Sequence, residues 1–115
     1  MQTMTNAARA YEAASIRRSQ RAQEADVFHR VIGFMRAARD ASPIEQVRAI
    51  ADNRRLWSTV GDLMRDPLSG LPANLRAQII SVSLAVHREM DRDEPDLDYL
   101  ITINEHIAAG LADRG

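Results

Sequence analysis

The sequence predicts an all-α protein, a single compact helical bundle of four to five helices with residues 1–115 as one domain. Apolar residues recur at helical spacing through most of the chain, and no run alternates apolar with polar residues as a half-buried strand does. The four prolines all fall between the apolar-periodic blocks, where helices start and stop. A chain of 115 residues can bury one modest core.

The first block, about residues 3–18, places Met4, Ala7, Ala8, Tyr11 and Ala14 on one face. These side chains are mostly small, so this helix is marginal on its own. Ser19 is positioned to cap a second helix running to about Asp40, although one long bent helix also fits, because no proline stands near residue 20. In that second block Val27, Phe28, Val31, Ile32 and Met35 form a stripe, with Phe34 and Ala38 beside it. Gly33 weakens the helix and is expected where a neighbour packs closely.

Ser42-Pro43-Ile44-Glu45 is the best local signal. Ser42 is the N-cap, Pro43 occupies the first helical position, and Glu45 is expected to reach back to the amide of the cap. This helix runs to about Arg65 with Val47, Ile50, Trp57, Val60, Leu63 and Met64 as its apolar residues, and Asp66-Pro67 and Ser69-Gly70 end it. Pro72 opens a helix to about Arg92 with two apolar stripes, one through Leu75, Ile79, Val82, Val86 and Met90, the other through Ile80 and Leu84. That pattern predicts a helix in the buried centre of the bundle. Pro95 opens the last helix, whose apolar face of Leu97, Leu100, Ile101, Ile107, Ala108 and Leu111 is interrupted by Asn104. Acids from Asp93 to Asp98 suit its positive end.

With 15 basic and 16 acidic residues the net charge is −1, which gives no bulk attraction for nucleic acid or anionic lipid. Every basic residue is Arg, and the charge is divided: residues 1–57 hold 10 Arg and 6 acids (+4), residues 58–115 hold 5 Arg and 10 acids (−5). No cysteine occurs, excluding disulfides and thiolate chemistry. No apolar run approaches the roughly 20 residues of a membrane helix, and no signal peptide is evident at the N-terminus, so a cytoplasmic protein without membrane insertion is expected. The acidic run from Asp91 lacks the glycine and the glutamate of a calcium loop. No nucleophile elbow, phosphate loop or zinc-protease helix is present. We therefore expect no catalytic residues, no cofactor, no metal and no enzyme activity.

The densest patch of specific chemistry is Asp52-Asn53-Arg54-Arg55-Leu56-Trp57. Trp57 is the single tryptophan. It reads either as a core anchor or as a partner contact, because Trp and Arg are enriched in binding hot spots. Asn104 on its apolar face either fixes the register of the bundle or meets something outside it. Tyr11 on the weak first helix is the third candidate. The partner-binding set is thus Tyr11, Asn53, Arg54, Trp57 and Asn104.

Together these landmarks resemble the FlaF family of flagellin-associated regulators of alphaproteobacteria. The resemblance covers most of the chain: Ala10-Tyr11, Val27-Phe28, Ala37-Ala38-Arg39-Asp40, the run Ala51 to Trp57, the run Leu71 to Ser81, and Ile103-Asn104 through Ala109-Gly110-Leu111. Asn53-Arg54-Arg55-Leu56-Trp57 and Leu71 to Ile80 are its most specific parts. Many relatives carry a Thr-Pro-type helix start near residue 20, where this chain has Ser19-Gln20-Arg21.

The resemblance implies a cytoplasmic, non-enzymatic protein of flagellum assembly. It would bind flagellin in the manner of a secretion chaperone, through flagellin's terminal amphipathic helices, and couple synthesis to export. FlbT and the flagellar export apparatus are further implied partners. The groove for flagellin is expected between the first helix and the helix bearing Trp57. The competing reading is a regulator of flagellin messenger RNA acting with FlbT, in which Arg30, Arg36, Arg39, Arg54 and Arg55 would meet the nucleic acid. The near-neutral charge and the lack of interleaved aromatics disfavour direct nucleic-acid binding. A scaffold without flagellin contact is the third.

Overall fold

The first turn begins at Thr5, whose hydroxyl accepts a hydrogen bond from the amide of Ala8 at 3.3 Å and caps helix α1, Asn6–Ala38. The computed structural model describes residues 5–113, without the side chains of residues 17–21, 69, 112 and 113. Met4 and the expected start at residue 3 lie outside the described residues, as does the hydroxyl of Ser19. Of the two possibilities at Ser19, a break or one long helix, the second holds, and α1 runs through residue 19 without interruption. Neither Pro nor Gly stands nearby, and Arg, Gln, Ala and Glu around it are strong helix formers, so one interior Ser costs only tenths of a kcal/mol.

Helix α2, Pro43–Arg65, starts as the sequence predicts: Ser42 Oγ accepts from the Glu45 amide at 3.4 Å and Pro43 opens the first turn. The reciprocal bond from the Glu45 side chain is not made among the described residues; Glu45 instead borders a depression between α1 and α2. A short 3₁₀ turn, Pro67–Ser69, follows, with Asp66 Oδ1 accepting from the Leu68 amide at 2.9 Å. Gly70 closes it at φ +83°, a conformation that L side chains rarely adopt. Helix α3, Ala73–Met90, and helix α4, Leu97–Asp113, complete the described elements. Glu89 holds the connection between them, accepting from the Asp96 amide at 2.9 Å and pairing with Arg92 at 2.9 Å. Asp96 then caps α4 by accepting from the Tyr99 amide at 3.1 Å.

Helix α1 packs against both α4 and α2, and α3 packs mainly against α2. The core is Phe28, Val31, Ile32, Met35 and Ala38 of α1, Ala49 and Trp57 of α2, Val86 and Met90 of α3, and Leu97, Leu100, Ile101 and Ala108 of α4. Helices α1 and α2 are therefore the inner pair, each with a helix on two sides. The second apolar stripe of α3 is not buried: Ile80 is half-buried and Leu84 exposed, because only one side of α3 has helical neighbours. Gly33 is also not a packing glycine, since a Cβ placed there would meet nothing within 4 Å. The close approach falls at Gly61, where a Cβ would lie 3.3 Å from Ser83 Oγ on α3.

Register follows from the cross-helix contacts. Phe28 faces Trp57, and Arg36 and Arg39 pair with Glu105 and Asp98. Both α2 and α4 thus run antiparallel to α1. Arg65 ends α2 level with about residue 20 of α1, so α1 overruns the bundle by about 22 Å. The long dimension of the molecule, 62 Å against 27 and 18 Å, reflects that arm.

Candidate functional site

Helix periodicity brings Asn53 and Trp57, four residues apart on α2, onto the same inward face as Asn104 of α4. All three are fully buried. The indole Nε1 of Trp57 donates to Asn104 Oδ1 at 2.8 Å, and Asn104 Nδ2 donates to Asn53 Oδ1 at 2.7 Å. Asn53 Nδ2 in turn donates to the Met90 thioether at 3.4 Å. The Trp57 ring stands edge-on to Phe28, with centroids 5.9 Å apart, and Ser83 Oγ donates to the Trp57 carbonyl at 3.4 Å. One polar chain thus ties α2, α3 and α4 together at the centre of the core, with α1 held by the aromatic contact.

The five sequence-predicted contact residues therefore separate. Asn53, Trp57 and Asn104 are interior, where they satisfy one another's hydrogen bonds and set helix register; no outer surface of theirs is left for a partner to touch. Arg54, beside them, is half-exposed and bonds Asp91 at 2.9 Å and the Met90 carbonyl at 3.4 Å, which closes the C-terminal end of α3. Tyr11 is 72% exposed on the overrunning arm, about 25 Å along α1 from Phe28. Sequence spacing does not separate these cases, because a buried and an exposed side chain on an amphipathic helix differ by only one or two positions.

Exposed apolar side chains stand elsewhere: Ile44 and Val47 on α2, Leu84 on α3, Tyr99 on α4 and a row along α1. Ile16 (57% exposed), Val27 (40%) and Phe34 (49%) stand on one face of α1, spaced by eleven and seven residues, each close to a whole number of turns. Leu63 of α2 is also exposed, and half-buried Leu56 belongs to the same helix. At the lower end of this α1 face, Phe34, Ala37, Ala38 and Ala49 line a shallow depression of about 220 Å³ bordered by Glu45, Arg48 and Asp52. Ile16 lies on the arm, beyond the end of α2; we call the stretch of this face that α2 flanks, with Val27 and Phe34, the α1/α2 seam. The 11-and-7 spacing is legible in the sequence, but there Val27 and Phe34 read equally well as core.

The divided charge is largely internal. Arg36, Arg39 and Arg54 from the basic half pair with Glu105, Asp98 and Asp91 from the acidic half, and Arg55 lies 3.8 Å from Asp52. Of the five arginines assigned to nucleic acid, Arg30 alone has no described ion partner.

A family model, flagellar protein FlaF, matches residues 7–111, nearly the whole chain. The chain belongs to the FlaF family. No curated protein and no solved structure matches it. The matched span takes in the overrunning arm, the buried Trp57–Asn104–Asn53 chain and the seam. No helix among the described residues is long and apolar enough to cross a membrane.

Proposed function

We propose that this FlaF-family protein binds flagellin in the cytoplasm as a secretion-chaperone-like partner, without enzymatic activity, and couples flagellin synthesis to export. The observation that carries the reading is the exposed apolar seam along α1 and α2. An amphipathic helix laid there would bury its own apolar face against Phe34, Val27 and Leu63, the helix-in-groove mode of recognition. Flagellin's terminal helices, which polymerise through such faces, are the segments that need covering before assembly. Ordering such a segment on contact costs a few kcal/mol, which keeps the complex releasable at the export apparatus. The buried Trp57 acts indirectly, by holding α1 and α2 at the spacing that forms the seam. The messenger-RNA reading has weaker support, since most of its arginines are engaged in ion pairs.

The test is a titration with monomeric flagellin from the same genome, intact and with its terminal helices removed. Binding of the intact form alone is expected. Phe34→Asp, at an exposed position, should weaken it at least tenfold, while Arg88→Ala on α3 should not. No binding, or equal binding of intact and trimmed flagellin, would reject the reading.

A further inference from the structure

The overrunning arm of α1 and the seam are similar in length, and the arm carries the complement of what the seam presents. We propose that two copies of this chain pair through α1, antiparallel, so that the arm of each copy lies in the α1/α2 seam of the other.

The pairing follows from α1's own pattern. At about 100° per residue, Ile16, Val27 and Phe34 point within about 20° of one another, and Arg9 shares that direction. Glu12 and Arg30 fall together on one edge of this stripe. In two antiparallel helices related by a two-fold axis, residues on the same edge meet, and each contact occurs twice. Placing the axis between residues 21 and 22 sets Ile16 against Val27 of the second copy and Glu12 within one residue, about 1.5 Å along the helix, of its Arg30. The same axis sets Arg9 against Phe34, where a guanidinium can lie on the ring.

The pairing is complementary in charge as well as in shape. Neither Glu12 nor Arg30 has an ion partner among the described residues of its own chain. The arm also needs a cover: a stretch of helix this short is marginal in water, yet it exposes Tyr11 and Ile16. Its partner surface begins where α2 and α4 begin to flank α1. Pairing does not depend on what else the seam takes, but it occupies the surface proposed for flagellin, so the two associations exclude one another.

The chain has no cysteine, which makes cross-linking specific. Ile16→Cys and Val27→Cys chains, each exposed at the substituted position, are prepared separately and oxidised alone and mixed. A disulfide-linked dimer is expected from the mixture and not from either chain alone. Each chain then carries a single cysteine, so an intramolecular disulfide cannot imitate the result. Sedimentation equilibrium of the unmodified protein should show a dimer. Glu12→Arg or Arg30→Glu should weaken it about tenfold, and the two together should restore it. Three results would each overturn the pairing: a monomer up to about 100 μM, cross-linking of either single variant with itself, or no recovery in the double charge exchange. Flagellin binding by a protein that stays monomeric would overturn this proposal and leave the flagellin reading standing.

Discussion

The indole nitrogen of Trp57 donates to Asn104 Oδ1 across 2.8 Å in a fully buried site, although the two residues are 47 positions apart. Without Trp57 the Asn104 carbonyl would lose its donor, and without Asn104 the indole would be buried unpaired. A buried polar group without a partner costs about 1–3 kcal/mol. This one contact therefore specifies how α2 faces α4.

Trp57→Phe keeps most of the ring and removes the donor. It should lower unfolding stability by about 1–3 kcal/mol. Trp57→Ala, which also leaves a cavity beside Phe28, should cost about 3–5 kcal/mol. Urea unfolding followed by circular dichroism measures both. A Trp57→Phe protein as stable as the parent would show that the indole bond carries nothing.

Asn53 and Asn104 share a hydrogen bond of 2.7 Å inside the same chain of donors. Asn53→Ala and Asn104→Ala should each be destabilising, and the double variant should lose less than the two single losses combined. A coupling of about 1 kcal/mol is expected for neighbours in one network. Strict additivity in the double-mutant cycle would mean that the two amides act independently.

Two glycines should respond with opposite sign. Gly33 is exposed in mid-helix with open space around its Cβ position, so Gly33→Ala should stabilise by roughly 0.5–1 kcal/mol. At Gly61 a Cβ would stand 3.3 Å from Ser83 Oγ and 3.0 Å from an Arg65 guanidinium nitrogen. Arg65 can swing away, but Ser83 is buried and bonded to the Trp57 carbonyl, so Gly61→Ala should destabilise. Thermal melts of the two variants compared with the parent decide this. A gain at both sites would show that α2 and α3 separate freely.

The ion pairs between α1 and α4 join oppositely charged halves of the chain, yet all their side chains are well exposed. Arg39→Ala should therefore cost less than about 1 kcal/mol, and added salt should change the stability of the parent only slightly. A loss of several kcal/mol would assign these pairs a structural role that their exposure does not suggest.

Much of the helical layout is legible in the sequence. Ser42-Pro43 starts α2 through a hydroxyl and a ring that act within one turn, and Asp66-Pro67 stops it in the same local way. Helix α4 starts two residues later than Pro95 suggests, because Pro95 signals the turn while Asp96 makes the cap. Ser19 misleads for a related reason: a capping residue starts a helix only where the preceding chain leaves the helical conformation, and nothing before Ser19 makes it do so.

The site is less legible. Spacing alone groups Asn53 with Trp57, but its partner Asn104 lies 51 residues away. Phe28 and Phe34 look alike on one periodic stretch, and one faces Trp57 while the other faces solvent.

The class of fold, most helix ends and the family are therefore properties of the linear sequence, because they depend on interactions within a few residues and on motifs read in line. The tertiary structure alone makes Trp57, Asn53 and Asn104 a mutually satisfied core and leaves a row through Ile16, Val27 and Phe34 open along α1. Burial is set by which helix lies beside which, and that is a property of distant segments meeting.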